Sequence, residues 1–560
     1  MKLSRVTVHN YRSIAHATIS VHDYTLLVGA NNAGKSTFLS AIRLFFEDIK
    51  WGQDDLPKGL AVSKPETWVE VTFQPEIEEE DSESSPTDQQ WITLRKYFSG
   101  PKATKKINCY EVKDGVVEEV EYSSGKSIAS LKLLQILYIP ALSDPSDQTK
   151  LSGPSPLRDT IHILLRKAVS QSSAYQELQL AIKRFEEESR KPQGFIATVA
   201  EPINSKISEW RTQIELGLKE LSVEELAKSL IRLSIHDQEI GAQEIPLGQY
   251  GQGFQRALIY ELICLLQNSK GPGSEVPTLI LFEEPEAYLH PNQQELLAHN
   301  LREISKQNRT QVLLTTHSPL FVSKAAEDFV QLVRVCKVDG KSYTYQPDHQ
   351  TVQKLFLAGG ALLQALNEYV DDSQVPETAK KEAESMIANA ATDPGLVEAE
   401  ESFRFQLWLE GDRAALFFAE RVLLVEGATE KALFNRLLWG PWKEFTQNRV
   451  CVIDVLGKYN FHRYLALLEV YGISHGVILD DDNQKNHHKV VNELVIRSAN
   501  KYTLSQPWGL LGDLETFLGL SLPGRPDKKP IEILKALNNN AIPADKLDAL
   551  KEGFKKCLAL

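Results

Sequence analysis

The chain has 560 residues, of which 42% are hydrophobic and 24% charged, and a formal net charge of −13. This length predicts several domains, and the composition is that of a globular protein with ample core material. The negative charge disfavours a wholly basic nucleic-acid-binding protein, although local patches and carboxylate-bound metals can still bind nucleic acid. Apolar runs are too short to cross a bilayer, no secretion signal is evident, and the five cysteines are scattered. We therefore expect a cytoplasmic protein without membrane contact, disulfides or structural zinc.

Alternating apolar residues predict strands in the first part of the chain. Residues 3–28 are typical of a β-hairpin and a following strand. Further strands are predicted at Trp68–Phe73, Trp91–Phe98 and Ile107–Val120. They surround Glu76–Asp88, an acidic and serine-rich segment that we interpret as a solvated loop.

The hydrophobic period changes after about residue 157. Leu178, Ile182 and Phe185 recur at steps of three and four residues, as do the apolar residues of 203–214, which predicts two amphipathic helices. Pro192-Gln-Gly194 separates the two helices. They either pack on their own domain or form an insertion that mediates dimerisation.

Alternating strand and helix patterns return in the second half of the chain. Strands are predicted at Thr278–Phe282 and Gln311–Thr315, each followed by a helix, which favours a parallel sheet. Residues 357–415 lack strand patterning and are interpreted as a helical connector. From Arg421 the αβ pattern begins again and predicts a second α/β domain.

A glycine-rich loop follows the predicted strand Thr25–Val28. The segment 29–36, GANNAGKS, fits GxxxxGK[ST], and a helix-like segment, Thr37–Phe46, comes next. In this order the backbone amides can wrap phosphates, while Lys35 reaches the β and γ oxygens and Ser36 binds Mg²⁺. The sequence therefore predicts an ATP site. We assign to it Gly29, Asn31, Asn32, Gly34, Lys35, Ser36 and Thr37.

Two carboxylates directly follow the second apolar strand. Glu283 and Glu284 come after Leu279–Phe282, a position that is costly for carboxylates without a cation. We predict that Glu283 completes the magnesium shell of the nucleotide and that Glu284 polarises the attacking water. An exposed acidic start of a helix is the alternative. His317, at the end of the next strand, stands where a group that senses the γ-phosphate is expected.

Glycines also open a helix between these elements. Residues 248–256, GQYGQGFQR, lead into an apolar stretch, and such a helix start can bind an anion, although a flexible turn is the alternative. The glycine-rich loop, the strand with two glutamates, the strand-end histidine and this helix start together resemble the ABC-type ATPase head of the SMC and RecF kind over about residues 1–350. The resemblance makes residues 251–256, with Gly253, a divergent signature that faces the phosphates across a dimer. The missing LSGGQ, and glutamate instead of aspartate at 283, argue against brisk hydrolysis.

Acidic residues also follow two strands near the C-terminus. Glu426 follows Val422–Val425, Glu430 lies one helical turn further on, and Asp480 and Asp482 follow the segment GVIL. Alternate residues of an extended chain point to one side, and clustered carboxylates repel one another unless hard cations bind between them. The alternative is a helix cap or a solvated loop. The pattern predicts a site for Mg²⁺ or Mn²⁺.

This second pattern resembles a Toprim domain, which has a glutamate after its first strand and Asp-x-Asp after a later one. An ATPase head followed by a Toprim domain resembles the OLD (overcoming lysogenization defect) family of nucleases. The matching segments are GANNAGKST, LFEEPEAYLHP, TTHSP, FFAERVLLVEGATE and VLGKYNFHRY, together with residues 480–482, and they span essentially the whole chain. The resemblance implies a two-metal site for phosphodiester hydrolysis. Its metal ligands would be Glu426, Glu430, Asp480, Asp482 and Glu515, with Asp513 as a substitute for Glu515 and Lys529 or Lys528 assisting the phosphate.

Two further segments lie near this site in the sequence. Lys458, after the strand Val450–Val455, either contacts a phosphate or is exposed in a turn. The run that contains Lys485, His487 and His488 could contact a DNA backbone. Adjacent histidines are expected to point in different directions, which favours solvent over a metal.

The expected fold class is therefore α/β, with an ABC/SMC-like ATPase domain that carries a helical insertion, followed by a Toprim domain of Rossmann-like build. We divide the chain into the N-terminal part of the ATPase domain (1–157), the helical insertion (158–235), the C-terminal part of the ATPase domain (236–350), a helical connector (351–415) and the Toprim domain (416–560).

The resemblance implies an ATP-binding, divalent-metal-dependent DNA endonuclease that the ATPase head regulates. It also implies a homodimer or higher homo-oligomer and, in a bacterial or phage setting, antiviral defence beside a companion helicase or reverse transcriptase. Two alternatives remain open. One is a DNA-repair ATPase of the SMC or RecF kind whose Toprim domain is only a scaffold, and the other is a nucleotide-sensing partner of another effector. A topoisomerase is disfavoured because no candidate domain carries a catalytic tyrosine.

Overall fold

The computed structural model describes most of the chain. The described residues are 1–58, 65–75, 91–103, 109–121, 134–141, 172–191, 194–216, 235–236, 244–245, 249–255, 257–258, 260–261, 277–306, 309–325, 328–388, 394–482, 487–510, 512–521, 525 and 527–560. The acidic segment Glu76–Asp88, Lys485 and the last residue of the predicted signature, Arg256, lie outside them.

An antiparallel sheet forms from the first part of the chain. Its strands are β1 (Lys2–Tyr11), β2 (Ile14–Ser20), β4 (Thr67–Gln74), β5 (Ile92–Ser99), β6 (Cys109–Lys113) and β7 (Val116–Glu121), in the order β2-β1-β4-β5-β6-β7. The predicted hairpin is the pair β1–β2, which closes at Tyr11 and Ile14. Alternation places Val6 and Val8 of β1 in the core.

A second, mainly parallel sheet carries the glycine-rich loop. Its strands are β3 (Tyr24–Val28), β8 (Gln135–Ile139), β11 (Thr278–Glu283), β12 (Thr310–Thr315), β13 (Leu332–Val338) and β14 (Lys341–Tyr345), in the order β14-β13-β3-β12-β11-β8. Only β14 runs antiparallel to its neighbour. Because β3, β11 and β12 are adjacent and parallel, the segments that follow them meet at one edge of the sheet.

Helices surround these sheets and fill the central part of the chain. They are α1 (Lys35–Phe45), α2 (Ser173–Arg190), α3 (Phe195–Ile207), α4 (Pro291–Ser305), α5 (Pro319–Ala325), α6 (His349–Leu357), α7 (Gly360–Asp371), α8 (Glu377–Ala388) and α9 (Pro394–Trp408). The first helix predicted beside Pro192 corresponds to α2. The second, predicted over 203–214, is shifted: α3 begins at Phe195 and ends at Ile207, a 3₁₀ turn covers Ser208–Trp210, and residues 211–216 are not helical. A short strand pair, β9 (Ile235–His236) with β10 (Glu244–Ile245), follows. Helices over 349–408 agree with the predicted connector, which ends in a 3₁₀ helix, Gly411–Phe418.

The C-terminal domain is a parallel sheet covered by helices. Its strands are β15 (Arg421–Val425), β16 (Val450–Asp454), β17 (Ser474–Asp480) and β18 (Trp508–Leu510), in the order β16-β15-β17-β18. Its helices are α10 (Ala428–Leu438), α11 (Phe461–Val470), α12 (His487–Arg497), α13 (Leu514–Leu518), α14 (Lys529–Asn538) and α15 (Ala544–Leu558). None of the helices among the described residues is both long and apolar enough to span a membrane.

One hydrophobic core joins the parallel sheet of the N-terminal half to the C-terminal domain. Leu26 and Val28 of β3 contribute to it from one side, and Tyr464 and Tyr471 contribute from the other. Leu27 points to the opposite face of β3, into a separate core with α1 and the antiparallel sheet. The alternation of β3 therefore connects both halves of the molecule to the strand that precedes the glycine-rich loop.

A buried arginine reinforces this junction. Arg334, on β13, is 4% exposed. One of its terminal nitrogens donates to the carbonyls of Tyr471 and Gly472, at 3.1 and 2.9 Å, and the other donates to the Ala419 carbonyl at 3.1 Å. All three acceptors belong to the C-terminal half, so a single side chain satisfies several of its backbone oxygens.

Replacement of this arginine tests the junction. Arg334→Ala should lower the free energy of unfolding by about 3 kcal/mol, because it leaves buried carbonyls without donors. Urea denaturation measures the change. Arg497→Ala, whose side chain is 60% exposed, is the matched control and should stay within about 0.5 kcal/mol of the parent chain. Equal stability of the two variants would contradict the role of Arg334.

Candidate functional sites

The loop after β3 requires glycine at two positions. Gly29 has φ 141°, and a Cβ there would lie 2.0 Å from the Val335 carbonyl oxygen. Gly34 has φ 110°, and a Cβ there would lie 2.4 Å from the Ser342 hydroxyl. Side chains are therefore excluded by conformation and by contact. The loop curls tightly before α1, as expected for a phosphate-binding loop.

Lys35 points into this loop. Its side chain is 5% exposed, and Nζ donates to the carbonyls of Gly29 and Ala30 at 2.9 and 3.1 Å. Burial lowers the pKa of Lys35 to about 8, against the attraction of the acidic residues that follow β11. His317 Nε2 lies 2.9 Å from Nζ. The loop carbonyls thus hold the ammonium group where the sequence pattern requires it.

The two glutamates after β11 meet the loop from the other side. Ser36 donates to Glu283 Oε2 at 3.2 Å, and the Tyr138 hydroxyl donates to Oε1 at 3.1 Å. Burial raises the pKa of Glu283. Glu284 has a left-handed backbone with φ 44°, and its carboxylate lies 3.6 Å from His317 Nε2. A conformation that non-glycine residues rarely adopt is commonly kept at functional positions.

The other residues that the sequence assigned to the ATP site lie around the loop rather than at the Lys35 ammonium group. Thr37 is buried in α1, and its amide donates to the Gly34 carbonyl. Asn31 and Asn32 lie at the tip of the loop and line a cavity beside β13. Gly253 lies beside the turn after Glu284, where a Cβ would come within 3.0 Å of the Tyr288 carbonyl oxygen.

Glu286 is a buried residue of this region that the sequence analysis missed. Its carboxylate accepts a hydrogen bond from the His317 amide at 2.6 Å, and burial raises its pKa. It therefore orients the loop that carries His317. In the sequence, Glu286 is the third acidic residue of the segment EEPE, which could have pointed to the site. The same residue is also expected in an exposed turn, so the sequence did not distinguish the two.

In the C-terminal domain, Glu426 directly follows β15. Its Oε2 is buried and has no hydrogen-bond partner among the described residues. Burial raises the pKa of Glu426 to about 7, with repulsion from Asp482 and Glu430 adding to the effect and Lys458 opposing it. A buried carboxylate oxygen without a donor is costly, which indicates a group that is bound when the protein functions.

Asp480 lies at the centre of the acidic cluster. It is the last residue of β17, and its pKa is raised to about 9, mainly by burial and then by repulsion from four carboxylates. These four are Glu430, Glu426, Asp482 and Glu515. The five acidic residues that the resemblance implied as ligands therefore lie close enough for the other four to repel the charge of Asp480.

Asp482 reaches this cluster by a different route from the predicted one. The strand ends at Asp480, and Asp482 has a left-handed backbone with φ 49°. Its amide donates to the Gly512 carbonyl at 3.1 Å. The argument from alternation along an extended chain was therefore wrong, because a turn anchored by the segment after β18 carries this carboxylate.

Glu430 combines two roles that the sequence analysis treated as alternatives. It lies in the first turn of α10, and its carboxylate accepts a hydrogen bond from the Gly427 amide at 3.0 Å. That contact caps the helix. The side chain is also 7% exposed, and burial raises its pKa near Asp480. The cap holds one carboxylate oxygen in a fixed position at the cluster.

Two lysines neutralise part of the cluster. Lys458 is 2% exposed, donates to the Asp480 carbonyl at 2.8 Å and pairs with the Asp482 carboxylate, so an exposed turn is excluded. Lys529 Nζ lies 2.7 Å from Glu515 Oε1. Lys528 is exposed, and Asp513 accepts the Thr516 amide as the cap of α13. Lys529 and Glu515 are thus better placed than Lys528 and Asp513.

The histidine pair behaves differently from its prediction. His487 and His488 stack on each other with ring centroids 4.5 Å apart, so the expectation that they point in different directions was wrong. The Tyr459 hydroxyl lies 2.6 Å from His487 Nε2, and His488 Nδ1 lies 3.3 Å from Asp482 Oδ2. They border the acidic cluster because the start of α12 contacts both Tyr459, in the loop after β16, and Asp482.

The acidic cluster is not arranged as a metal site in this structure. Among the described residues, no group of three acidic, histidine or cysteine side chains could hold a metal ion as placed. Lys458 and Lys529 instead hold Asp482 and Glu515. The unpartnered oxygen of Glu426 and the mutual repulsion at Asp480 remain. A divalent cation with oxygen ligands would relieve both, while the lysines release their carboxylates.

The fold and the two sites are those of a nucleotide-binding protein with a second, acidic site. A phosphate-binding loop faces two glutamates on one parallel sheet, and an acidic cluster lies on a second. The family described as "AAA ATPase domain" matches residues 1–152 and 132–322, more than half of the chain. The family described as "Overcoming lysogenization defect protein-like, TOPRIM domain" matches residues 417–482. The protein therefore belongs to the AAA ATPase domain family, and its chain continues into a domain that matches the OLD-like Toprim model.

Curated relatives align along most of the chain. The Old nuclease of Escherichia phage P2 is 22% identical over 87% of this chain and 78% of its own length. The OLD nuclease of Thermus scotoductus is 22% identical over 86% and 82%. The endonuclease GajA of Bacillus cereus is 23% identical over 88% and 78%. The predicted fold class is confirmed, and the two domains imply use of a nucleotide and a divalent metal.

The role of Lys35 is tested by nucleotide binding. Lys35→Ala should weaken ATP binding at the loop about tenfold or more, because it removes the ammonium group that the loop holds for the phosphates. Isothermal titration calorimetry measures this affinity. Lys306→Ala, whose side chain is 63% exposed, is the control and should bind ATP unchanged. Equal affinity of both variants would contradict the assignment.

Repulsion at Asp480 predicts an unusual stability change. In chelator, Asp480→Asn should raise the free energy of unfolding by about 2 kcal/mol at pH 8, because the fold keeps this carboxyl protonated at a pH where the unfolded chain ionises it, a cost that Asn does not carry. The folded-state pKa is raised, so the cost of Asp480 grows as pH rises from 3.8 to about 9. The advantage of Asn should grow over the same interval, as measured by thermal denaturation.

Asp454, at the end of β16, provides the matched control. It pairs with Arg413 and Lys431 at 2.6 and 2.9 Å. Asp454→Asn should destabilise the protein, because it leaves two cations without their partner. If both variants lost stability to the same extent, the repulsion inferred at Asp480 would be refuted.

Proposed function

We propose that the protein is an ATP-binding, divalent-metal-dependent DNA endonuclease. The observation that carries the proposal is the buried carboxylate cluster around Asp480, in which the described lysines pair with only two of the five carboxylates. Relatives named nucleases align across both domains and support the same conclusion. Burying like charges together costs free energy, and a bound cation would offset that cost.

The proposed ligands are the five carboxylates of the cluster. They are Glu426, Glu430, Asp480, Asp482 and Glu515. Mg²⁺ or Mn²⁺ suits these oxygen ligands, and a bound pair of such ions activates water and stabilises the leaving oxygen of a phosphodiester. The fixed carboxylate of Glu430 and the anchored turn at Asp482 orient the set before substrate arrives.

Two lysines have distinct proposed roles beside the carboxylates. Lys529 reaches the cluster from α14 and, once Glu515 binds a metal, its ammonium group is available to a DNA phosphate. Lys458 is a positioning residue, because it is buried and holds both the backbone and the side chain of the Asp480–Asp482 turn. Its removal should therefore disturb the geometry of that turn.

The N-terminal half is proposed to regulate this nuclease. Lys35, Ser36 and Glu283 would hold ATP and its Mg²⁺, and Glu284 with His317 would respond to the γ-phosphate. A homodimer would bring Gly253 of one copy to the phosphates of the other. Antiviral defence beside a companion helicase or reverse transcriptase is proposed from the resemblance to OLD nucleases alone.

One observation favours a second candidate function. Lys458 and Lys529 pair with Asp482 and Glu515 in the way that a Toprim domain used only as a scaffold could stabilise its acidic residues. The protein would then be a DNA-repair ATPase of the SMC or RecF kind. This candidate predicts ATP hydrolysis and DNA binding without cleavage.

Plasmid cleavage separates the two candidates. The parent chain should cut supercoiled DNA with Mg²⁺ or Mn²⁺ and not with chelator, and Asp480→Asn or Glu426→Gln should lower the rate roughly 100-fold. Glu552→Gln, whose side chain is 71% exposed, should cut at the parent rate. Lys35→Ala, assayed with and without ATP, shows whether the nucleotide activates or inhibits. Cleavage that survives in Asp480→Asn, or none by the parent chain with either metal, would reject the nuclease proposal.

A further inference from the structure

A cavity of about 570 Å³ opens where the phosphate-binding loop meets the C-terminal domain. Its walls come from the loop tip at residues 30–33, from β13 and β14, and from residues around the starts of β15 and β17. Lys35, Ser36 and Glu283 are not among its described lining residues. The cavity is therefore next to the P-loop site without being the pocket that faces Lys35.

The cavity is lined by five consecutive residues at the end of β13, 334–338. Arg334 alternates with Val333 and Val335, which pack into the core that contains α1, so its side chain faces the C-terminal domain. Lys337 follows where the strand becomes exposed. A ligand there would contact the outer side of the loop tip, including Asn31 and Asn32.

Positive charge is concentrated in this cavity although the whole chain carries a net charge of −13. Arg334, Lys337, Arg421 and Arg449 line it, and Glu420 is the acidic residue among the lining side chains. Glu420 pairs with Arg449 at 3.0 Å, which leaves the positive charge in excess. Excess guanidinium and ammonium groups in one cavity are typical of a site for phosphate groups.

The buried guanidinium of Arg334 retains an unused donor. Its terminal nitrogens donate to carbonyls of the C-terminal half, but Nε is buried without a hydrogen-bond partner among the described residues. The thiol of Cys336 lies beside the guanidinium and is only a weak acceptor. Neither the neutral carbonyls nor the thiol neutralises the guanidinium, and no carboxylate of the described residues pairs with it, so its positive charge is available to an anion in the cavity.

Two tyrosines supply an aromatic wall. The rings of Tyr345 and Tyr502 lie 6.0 Å apart at an interplanar angle of 84°, and both line the cavity. Both side chains are partly exposed. An aromatic face next to cationic groups suits a planar base joined to phosphates. The cavity volume also lies within the range of about 300–1,000 Å³ that small-molecule sites have.

We propose that this junction cavity is a second nucleotide site, separate from the P-loop site. Arg334, Lys337 and Arg421 contact the phosphates, and Tyr345 or Tyr502 stacks on the base. The site joins the tip of the P-loop to Arg421, the first residue of β15, and Glu426 directly follows the last residue of that strand. Occupancy there would report nucleotide levels to both candidate sites at once.

Calorimetric titration of ATP into the full chain carrying Lys35→Ala tests the proposal, because that substitution weakens the P-loop site. Saturable binding of one ATP per chain should remain. Adding Lys337→Ala and Arg421→Ala should weaken it about tenfold or more, since each removes a charged contact to phosphate. Arg334 is left intact in this test because its removal would also disturb the domain junction.

Two controls make the result decisive. Lys35→Ala combined with Arg497→Ala, a surface arginine on α12, should bind ATP like Lys35→Ala alone, and melting curves should show that every variant is folded. Tripolyphosphate should bind more weakly than ATP because it cannot stack on a tyrosine. No binding by Lys35→Ala, binding unchanged by Lys337→Ala with Arg421→Ala, or equal affinity for tripolyphosphate would each overturn the proposal.

Discussion

Buried negative charge at the ends of parallel strands is the constraint on which the C-terminal domain depends. Asp454 and Asp480 are the last residues of β16 and β17, the two strands that flank β15, yet their surroundings are opposite. Arg413 and Lys431 pair with Asp454 and, although burial alone would raise its pKa, their hydrogen bonds lower it overall. Asp480 is buried among other carboxylates, and its pKa rises to about 9. One strand end is neutralised by neighbouring cations, whereas the other is surrounded by like charge.

Buried charge at a strand end also organises the nucleotide site of the N-terminal half, where Glu283 is held by hydroxyl donors. Lys35 occupies the loop that awaits phosphates, and Ser36 with Tyr138 donates to Glu283. The loop therefore holds its shape through its own hydrogen bonds. Each site nevertheless retains a buried carboxylate oxygen without a hydrogen-bond partner among the described residues, Oε2 of Glu286 in the first and Oε2 of Glu426 in the second. The repulsion around Asp480 is what distinguishes the second site.

A shared core links these two sites mechanically. Leu26 and Val28, which precede the phosphate-binding loop, belong to one continuous cluster with Tyr464 and Tyr471 of the C-terminal domain. Arg334 adds hydrogen bonds across the same junction. Close-packed interiors transmit displacements rather than absorb them. A change in the loop after β3 therefore has a direct route to the sheet whose strands carry Glu426 and Asp480.

The sequence by itself determined the features that depend on a few neighbouring residues. The P-loop, the strand–glutamate pattern at Glu283, the helical connector and the two α/β domains were predicted because chain order and periodicity contain that information. Only the tertiary structure decided which charges meet. The left-handed turn at Asp482, the burial of Lys458 and the stacking of His487 on His488 arise from contacts between segments distant in the chain. Local propensity carries no record of such contacts, because burial and electrostatic repulsion depend on every element packed around a group.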